Sequence, residues 1–363
     1  MTFFKRTVSA LALGAALALP AALVAPALAP AAMAQESAET RFAELMRLYG
    51  APDGLLKWDS VEETGSGYIA HGFRIDLTGR NAGLTEVPLG DFEVTSYAVE
   101  NGYVTELAGR FSSIKADLAQ LMTAGQTLGQ TPSGATVGMG LAMMAGYVQG
   151  LGYQTLDISA SIESRLDLGT GQWAQAGTLS VAGAFSLDFT ADLANVTAAY
   201  VDWARENGAK MLLDPVAGQA EAEAAAADPN SPLARVGYSG FSLLFDDEGL
   251  MARLEPQLAQ ARAGMLGVNA DGTPKTELTD ADLMTQATAM AGTGGVTPEK
   301  LLPLVKAIYG FVMKPDVIAV AVRIDPALTI SEFRSLTPQP GATAAPAAPA
   351  VDWNSRLTID AHN

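Results

Sequence analysis

The chain has no cysteine and only two histidines, His71 and His362. Without thiols there is no disulfide framework, no thiolate nucleophile, no Cys-ligated metal cluster and no lipoprotein anchored through an N-terminal Cys. A Ser-His-Asp triad or a His-based metal site would have to be built on His71, which has no histidine companion nearby in the chain. Positive charge is also scarce: 22 Lys and Arg face 39 Asp and Glu, for a net charge of −17. Such a chain repels DNA, RNA and anionic headgroups at long range, so nucleic acid is not an expected partner. Hydrophobic residues nevertheless make up 49% of the sequence. The fold must therefore bury much apolar surface or offer some of it to a ligand.

The first residues combine Lys5 and Arg6 with an uncharged Ala/Leu/Val run from Val8 through Met33, ending Ala32-Met33-Ala34. This is the pattern of a secretory signal peptide over 1–34, cleaved after Ala34, and the expected location is the periplasm. Behind it, residues 35–153 read as a strand meander with helices, and 154–335 as a long hairpin, further helices and a central strand. Residues 336–363 form a Pro/Ala linker and a tail in which Arg356-Leu357-Thr358-Ile359 either docks as an edge strand or stays loose.

The clearest pattern runs from Thr155 to Leu193. Leu156, Ile158, Ala160, Ile162, Leu166 and Leu168 share one parity, and Asp157, Ser159, Ser161, Glu163, Arg165 and Asp167 hold the other. After Gly169-Thr170-Gly171-Gln172, a second arm sets Leu179, Val181, Phe185, Leu187, Phe189 and Leu193 against Ser, Thr and Asp. Period-two alternation of this kind predicts a long antiparallel hairpin with one apolar and one wet face. Further strands are predicted over 55–61, 68–77, 92–99 and 103–111, with Asn101-Gly102 as the strongest turn signal. Val317 to Ile324 is nearly continuous in apolar residues and predicts a central strand covered on both faces and broken by Asp325-Pro326. The fold class is α+β: long antiparallel, curved β-sheet with amphipathic helices packed on one face.

Helices are predicted from about Ser112 to Leu128, over 195–213, 248–265 and 279–290, and from Thr297-Pro298 to Lys314. From Leu118 to Leu156 there is no charged residue, and Gly138, Ala142, Gly146 and Gly150 recur every four positions. Small residues at that spacing allow close approach, which predicts a helix packed under the strands, with a flexible Met-rich lid or lipid-contacting element as the functional reading. The candidate ligand-binding residues are Leu141, Met144 and Val148 on this cover, and Ile158, Ile162, Val181, Phe185 and Phe189 on the apolar face beneath it.

Catalytic signatures fail on inspection. Ser112-Ser113-Ile114-Lys115 fits S-x-x-K at a predicted helix start, but no Ser-Asp-Asn follows and Lys275-Thr276 continues with Glu277 instead of Gly. Asn269-Ala270-Asp271-Gly272 imitates a calcium loop whose first and twelfth positions would be Gly267 and Leu278. No cofactor and no metal are expected. The hairpin over 155–193 and the stretch from Val317 to Phe333 resemble AsmA-like periplasmic envelope proteins of Gram-negative bacteria. That resemblance implies a long-stranded protein connected with lipid handling and outer-membrane integrity. The expected function is a non-enzymatic exported protein whose apolar sheet face binds lipid or another hydrophobic ligand. The alternatives are an adaptor with an envelope protein partner, and an exported hydrolase using scattered acids or Ser112.

Overall fold

A computed structural model describes residues 37–51, 54–76, 86–130, 135–213, 215–269, 271–273, 275–291, 296–336 and 352–363. The expected leader over 1–34 and the Pro/Ala segment over 337–350 fall outside these described residues.

Helix α1 (Ala38–Leu48) leads into β1 (Leu56–Lys57), β2 (Ser60–Glu63), β3 (Tyr68–Asp76), β4 (Glu86–Glu100) and β5 (Tyr103–Asp117). A helical hairpin, α2 (Leu118–Gly129) and α3 (Ala135–Gly150), separates these from β6 (Thr155–Asp167), β7 (Gln172–Val181) and β8 (Phe185–Ala194). Helices α4 (Ala198–Leu213), α5 (Pro215–Ala227) and α6 (Pro232–Arg235) precede β9 (Gly237–Asp247). Then come α7 (Leu250–Arg253), α8 (Glu255–Leu266), α9 (Asp280–Ala291) and α10 (Pro298–Met313). The chain closes with β10 (Val317–Thr329), α11 (Ile330–Leu336), α12 (Trp353–Arg356) and β11 (Leu357–His362).

The strands form one 11-stranded sheet in which β3 through β11 each neighbour the next strand of the chain, while β1 and β2 both pair with β3. All pairings are antiparallel, and the sheet runs unbroken past residue 153, where β5 pairs with β6. This is the expected α+β architecture. Bulges in the β3–β4, β4–β5, β5–β6 and β9–β10 pairings bend it.

The helices gather on one face because the apolar parity of the strands points there. Phe42, Leu45 and Met46 of α1 pack on Tyr68, Phe73, Phe92 and Val94. Val201 and Ala204 of α4 and Ala226 of α5 pack on Leu166, Trp173 and Leu193 at one end of the central strands. The α2–α3 hairpin packs on Val181 and Leu156 at the other end. The opposite face is polar, laddered by Ser161–Thr178 at 2.8 Å and Thr190–Ser242 at 2.7 Å.

Four expectations are corrected. The predicted hairpin over 155–193 is three strands, because Val181 to Phe185 is a turn rather than part of one arm. Ser112 to Asp117 belongs to β5 and the helix starts only at Leu118, so Ser112 and Lys115 stand on a strand and the S-x-x-K helix start does not exist. Val317 to Ile324 is not covered on both faces: its residues are half-buried except for exposed Arg323, and β10 has only the edge strand β11 beyond it. Asp325-Pro326 does not end that strand, which continues through a bulge to Thr329 and then turns into α11. Of the two alternatives for the tail, the edge strand is the one observed, over Leu357–His362 and after Arg356, which closes a short helix; the Lys300 ammonium bonds to the Leu357 carbonyl at 2.5 Å.

Candidate functional site: an apolar trough across the sheet

Residues directly opposite in an antiparallel pair share a face, so register alone builds the site. One row crosses seven strands as Gly109, Ile162, Gly177, Phe189, Leu243, Val320 and Ala361. On one side of it lies the row Phe111, Ala160, Leu179, Leu187, Phe245 and Ile318. On the other lies Leu107, Ser164, Gln175, Ala191, Phe241, Val322 and Ile359. No side chain in the three rows is ionisable.

The helical caps at the two ends of the strands leave this middle band open. Ile162, Leu179, Leu187, Phe189, Leu243, Val320 and Val322 are half-buried, and Phe241 is 43% exposed. At the β9–β10 side, Phe311 of α10 meets Phe245 edge-on at 5.6 Å and forms a wall. Seven strands at about 4.8 Å spacing make a trough roughly 29 Å long; three rows give a width on the order of 13 Å at β8–β10, and it narrows to two rows over β5–β7, where Leu107, Ser164 and Gln175 are buried. It is an open face: hollows of 620 and 180 Å³ lie elsewhere, at the β6–β7 turn and on the polar face beside Asp188 and Ser242.

Two aromatic rings make the floor continuous. Phe189 leans over Gly177, where a Cβ would come within 2.5 Å of its ring, and Phe92 leans over Gly109, at 2.7 Å. Each ring fills the space its glycine leaves, which is how a sheet keeps a smooth apolar surface across a residue without a side chain. At the trough border the buried Trp173 indole donates to the Ser164 hydroxyl at 2.7 Å.

The predicted site residues are divided by the fold. Val148, Ile158, Val181 and Phe185 meet under the α2–α3 cap, where Val181 is 6% exposed. Ile162 and Phe189 lie in the open trough. Met144 points away from the sheet and is 64% exposed, and the side chain of Leu141 lies outside the described residues. The four-residue repeat of small side chains is not a close-packed seam: Gly146 meets only the Met122 sulfur, at 3.9 Å, and Gly150 faces open space. Sequence reading missed Phe241, Leu243 and Phe245, although their shared parity in the stretch 236–245 was the signal.

His71 sits on the polar face, with Nδ1 3.0 Å from Asp91 and Nε2 3.7 Å from Glu62. The Asp91 carboxylate, which also accepts from the Gly72 backbone N–H at 3.1 Å, holds the imidazole above its ordinary range by hydrogen bonding. Among the described residues no three His, Cys, Asp or Glu side chains gather as a metal site. A folded-state pKa above the unfolded one stabilises the protein below the unfolded value and loses that contribution as pH rises through the folded value. Wild type is therefore expected to exceed His71→Asn in denaturant midpoint by more at about pH 5.5 than at about pH 8.5, either side of the ordinary imidazole range. An equal gap at both pH values would contradict this.

Arg205 of α4 is a buried cation with a structural task. It donates to the Gly102 carbonyl and to Asp202, both at 3.0 Å, lies 4.8 Å over the Tyr103 ring, and burial draws it down to about 10. It fastens α4 to the β4–β5 turn. No helix among the described residues is long and apolar enough to cross a membrane. No protein-family model matches the chain, and no curated protein matches it.

Proposed function

We propose that this is a non-enzymatic exported protein of the periplasm that holds a lipid or another hydrophobic ligand along its sheet and serves cell-envelope maintenance. The observation that carries this reading is the open apolar band between two helical caps, two to three rows deep and free of ionisable side chains. A ligand covering roughly 200 Å² of it gains on the order of 5 kcal/mol from burial, before the cost of association. Export rests on the Lys5-Arg6 and Ala32-Met33-Ala34 pattern, and lipid handling agrees with the resemblance to AsmA-like envelope proteins.

Native mass spectrometry of protein purified from its own periplasm tests the reading, with a co-purified lipid as the expected result. Phe241→Asp places a carboxylate in the trough at a side chain already 43% exposed, so the fold is spared while the apolar floor is interrupted. That variant is expected to emerge without lipid. Wild type free of any bound apolar molecule, or Phe241→Asp retaining it in full, would refute the proposal.

A further inference from the structure

Two polar side chains stand at the border of the trough, in a row that is otherwise apolar. Ser164 of β6 and Gln175 of β7 are directly opposite in the ladder and share the trough face, with Leu107 and Ala191 flanking them on β5 and β8. Ser164 is 9% exposed and Gln175 6%. A buried amide is ordinarily hydrogen-bonded, and leaving one unpaired is costly. The Gln175 amide nevertheless has no hydrogen-bond partner among the described residues. The Ser164 hydroxyl accepts from the Trp173 indole at 2.7 Å, and its own hydrogen has no acceptor among the described residues.

Nor is the amide sealed in. Among the described residues only Nε of Arg41 and Nε of Arg205 are enclosed without a hydrogen bond, so the Gln175 amide keeps contact with open space. On one side of it the face is closed by Trp173 and the α4 side chains Tyr200, Val201 and Ala204. On the other side, two residues along β7, Gly177 and the Phe189 ring belong to the trough floor. The opening is therefore the trough.

These groups select a ligand by chemistry. Ser164 offers an O–H donor, and Gln175 offers N–H donors and a carbonyl acceptor. A carboxylate or phosphate brought here would lose its water with no counter-charge in the three rows. A pure hydrocarbon would leave both groups unpaired. We infer that the ligand of the trough is an acyl ester, whose carbonyl oxygen accepts from the Ser164 hydroxyl and the Gln175 amide while its chain lies over Ile162, Phe189 and Leu243. This rests on the reading of the trough as a hydrophobic site and adds the chemical class of its ligand.

Displacement of the neutral fluorophore phenylnaphthylamine from the full chain, by methyl oleate, ionised oleate and octadecene, tests it. Gln175→Leu is expected to weaken methyl oleate about fivefold, the worth of one hydrogen bond, and to leave octadecene unchanged. Ionised oleate should bind wild type at least about tenfold more weakly than the ester. Gln175→Leu replaces an unpaired amide, so its urea midpoint should equal or exceed that of wild type; Gln175→Met, a second apolar side chain, should behave alike. Monooleoylglycerol and oleoyl lysophosphatidylethanolamine distinguish the two sources of such an ester, an acylglycerol and a glycerophospholipid, and Gln175→Leu must weaken whichever of them binds. Methyl oleate binding unchanged in Gln175→Leu, octadecene weakened equally, or oleate as tight as the ester would overturn the inference and leave the trough standing. So would a lowered urea midpoint in both variants, because the amide would then be paired within the fold. Wild type that binds neither the fluorophore nor any of these chains would overturn the proposed function and the inference together.

Discussion

Phe42→Ala is expected to lower the unfolding free energy by about 3–5 kcal/mol, the range for emptying a fully buried aromatic site. Phe42 is 0% exposed. Its ring lies 5.0 Å from Trp58, 5.9 Å from Tyr68, 6.3 Å from Phe73 and 6.4 Å from Phe92. Removing the hub leaves four rings facing a void, and α1 loses the anchor that docks it on β3 and β4. The same helix is also tied to β2 by Arg41 and Glu63, paired at 2.5 Å. That pair is two-pronged but partly exposed, at 28 and 49% of the two side chains, so it contributes modestly and Arg41→Ala should be milder than Phe42→Ala. Equilibrium denaturation of both variants measures the contrast. A loss at Phe42 under about 1 kcal/mol would mean that the cluster collapses to fill the gap.

Gly177→Ala is expected to cost about 1–3 kcal/mol, the penalty for overfilling a packed site. The new Cβ would fall 2.5 Å from Cζ of Phe189 and 2.8 Å from the Ser161 carbonyl oxygen. The ring can swing outward into the trough, but the carbonyl belongs to the β6–β7 ladder and cannot. In a Phe189→Leu background the ring contribution disappears and the carbonyl contribution stays, so the two changes should be non-additive by at least about 0.5 kcal/mol. Urea denaturation of the four proteins closes the cycle. Strict additivity would show that Phe189 does not fill the Gly177 gap. The displaced ring should also weaken ligand retention.

Much of the sheet was legible because alternation survives wherever pairing is regular. Leu156 through Leu166 announce β6, and Asn101-Gly102 announces the β4–β5 turn, where both residues adopt positive φ. The failures have physical causes. Between Phe111 and Ile114 the pairing with β6 shifts register. The shift moves the inward residues from odd to even numbers, so one long strand reads as a strand followed by a helix. Val181 and Phe185 lie four residues apart, so the turn between them preserves parity and two strands read as one arm. In β10 the unbroken apolar run comes from Ala319 and Ala321, small enough to stand on the wet face beside Asp360 and His362. The trough was half legible: Ile162 and Phe189 announce themselves by parity. Leu243 and Phe245 were hidden by Leu244, which lies between them and is 38% exposed on the other face.

The order of the sheet follows the order of the chain from β3 to β11. A sheet so wired can gain or lose an adjacent pair of strands by duplication or deletion without rethreading anything else. Each added pair would extend the apolar floor by about 10 Å. The length of molecule such a protein accommodates is therefore a property evolution can change in modular steps, at either rim, while the capping helices stay as they are.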